Sequence, residues 1–94
     1  MTYAVTIEYR SDPEAIAQNR PAHREYLRGL VAANKLAISG PFADDSGALI
    51  VYNAESEAEV EQLIHGDPFC RARVFERWAV RPWKIVMANS GLMP

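Results

Sequence analysis

The side chains of this chain best placed to do chemistry are His23, Asp67 and Arg20. His23 stands three and four residues before Tyr26 and Leu27, which with Leu30 and Val31 recur at helical spacing as an apolar stripe. The histidine therefore points toward the core side of a helix. Pro21 suits a first helical turn, and the residue before a proline is pushed out of the α region, so a helix start, kink or break is expected at Arg20-Pro21. That would set His23 one turn from a positive helix end. The dipole, Arg20 and burial would then all favour neutral imidazole, while a nearby carboxylate would push back and leave a base poised near neutrality. The alternative is a partly buried histidine bonded to backbone and doing no chemistry. Both readings stay open at this point.

Asp67-Pro68 is a common way to begin a helix, with aspartate as the cap and proline at the first position. A cap uses one carboxylate oxygen, so the other is free to hold the tautomer of His23. Gly40-Pro41 marks either close backbone approach to a ligand at a strand end or a simple strand terminator. Phe42 and Phe69 are pocket walls on the first view and ordinary core on the second. Asp44-Asp45 reads as a solvated turn. His23, His65, Cys70 and Asp67 lack the paired spacing of a zinc site, so no metal is expected. Cys70 is either a small buried hydrophobe or a thiol nucleophile. There is no nucleophile elbow, phosphate-cradling glycine loop or dinucleotide fingerprint, and no cofactor is expected.

The elements that must position these groups follow from patterning. Tyr3 to Tyr9 alternates as a β-strand, with Tyr3, Val5, Ile7 and Tyr9 on one face. Ser11-Asp12-Pro13-Glu14 starts a helix that runs, kinked or broken at Pro21, to about Ala33, where Asn34 is a left-handed stop. Lys35 to Gly40 and Ala48 to Asn53 are β-like and flank a turn-rich loop. Ser56-Glu57-Ala58-Glu59 matches a capping box ahead of Val60, Leu63 and Ile64, and His65-Gly66 closes that helix at a solvent-facing terminus. A short helix from Asp67 to about Arg73 and a final strand from about Glu76 to Met87 complete the chain. The order β-α-β-β-α-β predicts an α+β, ferredoxin-like fold over residues 1–94, a four-stranded antiparallel sheet with helices on one face. The other face would be left wet, with Trp78 and Trp83 as large anchors near it. A homodimer packed sheet to sheet is expected to cover it.

Composition narrows the function classes. With 49% hydrophobic and 23% charged residues, the chain has the make-up of a globular domain rather than a disordered one. Ten basic residues against twelve acidic ones, with no basic run, argue against a nucleic-acid binder. The apolar stretches are far short of the roughly 20 residues of a membrane span. No secretory signal pattern appears, and one cysteine fits a reducing compartment, so a cytoplasmic location is expected.

Three segments carry a resemblance. They are Arg20-Pro21-x-His23 with Leu27, Ser39-Gly40-Pro41-Phe42, and Gly66-Asp67-Pro68-Phe69 followed by Val74, Val80, Pro82 and Trp83. In their order and spacing the chain resembles the YCII-related (YciI-like) family, small dimeric α+β barrels of ferredoxin-like type. The resemblance implies an active site on a histidine and an aspartate, here His23 and Asp67, and one related branch looks like chloromuconolactone dehalogenases. The expected function is general acid–base chemistry on a small anionic or carbonyl substrate, whether elimination, isomerisation or hydrolysis. Arg20 would attract the negative charge, and Gly40, Pro41, Phe42 and Phe69 would line the site. The competing readings are a non-catalytic metabolite-binding or accessory module and, on fold analogy alone, a cofactor-free oxygenase.

Overall fold

The computed structural model describes residues 1–94. Its elements are β1 (Thr2–Tyr9), α1 (Pro13–Ala32), β2 (Leu36–Pro41), β3 (Gly47–Asn53), α2 (Glu57–His65), α3 (Pro68–Arg71) and β4 (Phe75–Pro82), followed by a 3₁₀ turn at Ser90–Leu92. The four strands form one antiparallel sheet in the order β2-β3-β1-β4, which is the ferredoxin-like βαββαβ arrangement. Tyr3, Val5, Ile7 and Tyr9 face the helices and form the core with Ile50, Tyr52, Val60, Ile64 and Phe69. No helix is long and apolar enough to cross a membrane.

Local chemistry sets the element boundaries. Asp12 caps α1 through Ala15 N, and Pro13 occupies the first helical position. Ser56 caps α2 through Glu59 N while Glu59 reaches back to Glu55 N, a reciprocal pair of bonds at the helix start. Asn34 adopts the left-handed conformation at φ 60° just beyond α1.

Two boundaries differ from the sequence expectation. First, α1 runs through Pro21 as one 20-residue helix. Proline removes one intrahelical bond, but Ile16 on one side of it and His23 and Leu27 on the other bury a continuous face. His23 therefore sits mid-helix, where the dipole no longer acts, since that effect fades within the first turn. Val31, expected in the stripe, is exposed. Second, β4 stops at Pro82 rather than near Met87. Its only partner is β1, whose Tyr3 pairs with Pro82, and after Trp83 N donates to Thr2 O there is no strand left to bond.

A bulge moves one anchor to the other face. Between Glu8 and Tyr9 the β1–β4 register shifts so that Arg77 opposes Glu8 but Phe75 opposes Tyr9. Phe75 and Trp78 are an odd number of residues apart and would face opposite sides of a regular strand. The extra residue brings both to the helix side. Trp78, expected on the open face, instead packs against the core and donates Nε1–H to Glu61 of α2 at 3.2 Å.

Candidate functional site

His23 reaches the site because α1 lies against α3, and Asp67 reaches it because it caps α3. The cap sets the aspartate's direction: its Oδ1 accepts from Phe69 N at 2.9 Å. The same carboxylate meets His23 Nδ1 at 2.7 Å through Oδ1 and at 2.9 Å through Oδ2. Asp67 is fully buried and His23 is 6% exposed, so this ion-pair geometry is shielded from water. The ring of Phe69 lies parallel beneath the imidazole, and Phe75 meets it edge-on. A carboxylate facing Nδ1 makes that nitrogen the donor of the pair and leaves Nε2 outside the contact.

Nε2 has no hydrogen-bond partner within the chain, and the His23 ring lines a hollow of about 200 Å³. Tyr9, Arg24, Leu27, Ser39, Pro41 and Ile50 complete most of its wall. Ser39 pairs with Ile50 and Pro41 with Ala48, so those side chains share the helix-facing side of the sheet. A larger hollow of about 530 Å³ lies elsewhere and is lined by neither His23 nor Asp67. We place the candidate site at the smaller one, because His23 lines it.

The expected site residues are thus distributed unevenly. His23 and Asp67 meet, and Gly40 and Pro41 line the hollow on the edge strand β2. Phe69 is sealed in the core, acting as a floor for the imidazole rather than as a wall. Phe42 departs from expectation: it is exposed and lines the larger hollow with Thr6, Arg77 and Ala79. Arg20 departs too, since its guanidinium pairs with Asp45 at 2.6 Å and does not line the hollow. Tyr9, Arg24 and Ser39 were not singled out as functional. Tyr9 was legible through strand alternation, Ser39 only through the register shift between Leu36 and Ile38 that turns it to the helix side, and Arg24 only through its position next to His23.

Electrostatics separates the remaining titratable groups. Burial pushes the Tyr9 phenol above its ordinary value, with Arg20 pulling the other way. It therefore stays a neutral donor at physiological pH. Burial, reinforced by the charge of Asp67, pushes the Cys70 thiol up, which opposes thiolate chemistry. Asp44 accepts from both the backbone and the hydroxyl of Ser46, which is turn chemistry.

Comparison with known proteins agrees with this architecture. The solved structure of 5-chloro-2-hydroxyhydroquinone dehydrochlorinase (TftG) from Burkholderia phenoliruptrix, in complex with 2,5-dihydroxybenzoquinone, superposes with a TM-score of 0.79 at 30% identity. The match covers 89% of this chain and 94% of that one. The Bacillus subtilis protein YjpA is 33% identical over 63 residues, 67% of this chain and 73% of its own length. The model of the YCII-related domain matches residues 1–84. The chain belongs to the YCII-related domain family.

Proposed function

We propose that the protein is an acid–base enzyme acting on a small carbonyl-bearing or phenolic ring compound, with His23 as general base and Asp67 holding it. The observation that carries this reading is a buried carboxylate on Nδ1 that leaves Nε2 unbonded on a ring lining a hollow. Nε2 takes a proton from an O–H or C–H made acidic by conjugation. The electron pair left behind moves through the conjugated system and expels a leaving group such as chloride. The imidazolium formed is stabilised by Asp67 and then returns its proton to solvent, so the balance is loss of HX. Likeness to a dehydrochlorinase over most of both chains favours elimination over isomerisation or hydrolysis. Size fits too. An apolar cavity of about 150 Å³ accepts benzene, so about 200 Å³ suits one substituted ring.

The test is chloride release from 5-chloro-2-hydroxyhydroquinone, then from a panel of halogenated hydroxylated rings and lactones. His23→Asn should slow turnover by about 10²–10⁴-fold. Unchanged turnover in that variant removes His23 from the chemistry.

We also propose that two copies pack through the open face of the sheet. Ile38, Phe42, Leu49 and Trp83 are exposed, as are Val86 and Met87 beyond β4, and a second copy on the open face would take such side chains out of water. Sedimentation of the wild type and of Leu49→Asp should show a dimer that the aspartate weakens. A monomeric wild type at micromolar concentration would end this part of the reading.

A further inference from the structure

We infer that the substrate binds as an anion and that Arg24, not Arg20, reads its charge. The inference rests on the acid–base reading of the same hollow and names the ligand's charge. Arg20, Arg24 and Arg28 are spaced four residues apart along α1 and form one cationic row. The outer two are committed: Arg20 to Asp45 at 2.6 Å and Arg28 to Glu25 at 3.1 Å. Arg24, the middle one, has no carboxylate within ion-pair distance, and it lines the hollow beside His23.

No other residue of that wall carries a fixed charge. Tyr9, Leu27, Ser39, Gly40, Pro41, Ala48 and Ile50 are all uncharged side chains. The one buried carboxylate nearby, Asp67, is turned to His23 and to the Phe69 amide. A molecule entering the hollow thus meets one unpaired cation beside an imidazole whose Nδ1 is held by Asp67. Ser39 faces the same space from β2 and offers a hydroxyl to a second oxygen. The ligand class is a single-ring organic anion, such as an ionised hydroxyquinone or a ring carboxylate. A neutral quinone or lactone would leave the guanidinium unused.

The experiment is calorimetric titration with 2,5-dihydroxybenzoquinone, ionised at neutral pH, and with neutral hydroquinone, at low and high salt. The proteins are the wild type, Arg24→Gln, Arg24→Lys, Arg20→Gln and His23→Asn. The wild type should prefer the anion, with an affinity that falls as salt rises. Arg24→Gln should weaken the anion on the order of tenfold, the lower end for a charge-assisted bond at a partly exposed site, and lose most of the salt dependence. Arg24→Lys should recover most of the affinity. Arg20→Gln should change it by less than about threefold, because that guanidinium is already paired. Undiminished anion binding by Arg24→Gln, no anion preference in the wild type, or loss confined to Arg20→Gln would each overturn the assignment. His23→Asn separates the two readings: anion binding kept with chloride release intact refutes the acid–base role alone.

Discussion

The imidazole of His23 lies flat on the ring of Phe69, with centroids 4.0 Å apart and planes 7° from parallel. Phe69 therefore fixes the tilt of the imidazole while Asp67 fixes its rotation. Phe69→Leu keeps an apolar side chain but loses the flat support, and should destabilise the fold by about 1.5 kcal/mol, read as a shifted denaturant midpoint. Turnover should fall further than stability alone explains. Equal turnover in a folded Phe69→Leu protein would show that the stack is only packing.

Asp67 has two jobs that substitution can separate. Asp67→Asn retains an acceptor for Phe69 N but has no charge to offset an imidazolium. It should cost about 1 kcal/mol of stability yet lower turnover at least about a hundredfold. Asp67→Ala removes the cap and leaves the buried Nδ1–H unpaired, so about 2–4 kcal/mol should be lost. Urea unfolding of both variants beside chloride-release rates distinguishes the roles.

Gly47 and Gly40 should respond in opposite ways to alanine. A Cβ at Gly47 would come within 1.9 Å of the backbone oxygen of Ile7, so β1 and β3 cannot keep their register. Gly47→Ala should prevent cooperative folding or cost more than about 3 kcal/mol. A Cβ at Gly40 meets nothing within 4 Å, and its pairing with Leu49 turns it to the open face. Gly40→Ala should fall within about 0.5 kcal/mol of wild type. Thermal melts of the two variants check this contrast.

Acid stability should depend on helix-start carboxylates. A hydrogen bond from Lys35 holds Glu59 below its ordinary value of 4.5, and the backbone bond from Ala15, with Arg10 beside it, holds Asp12 below 3.8. Groups depressed in the folded state favour folding above their unfolded values, and that advantage is lost as pH falls through the folded ones. Stability should be flat with respect to these two groups above about pH 5 and decline below it. Glu59→Gln and Asp12→Asn should each make the decline slightly shallower in melts between pH 2 and 6, because solvent screens both exposed carboxylates.

Much of this molecule was legible from its residues one stretch at a time. Element order, the caps at Asp12, Ser56 and Asp67, and the inward direction of His23 all follow from interactions spanning a few positions, where backbone sterics and hydrogen bonding act locally. The contact of His23 with Asp67 spans 44 residues, and no local rule encodes it. Only the packing of α1 on α3 decides it. The same holds for Trp78, turned over by a bulge that depends on how β4 meets β1, and for Phe42, carried to the other hollow. Arg20 and Arg24 look alike in the sequence. Which one is left free depends on where the loop bearing Asp45 comes to rest, and that is a property of the folded chain alone.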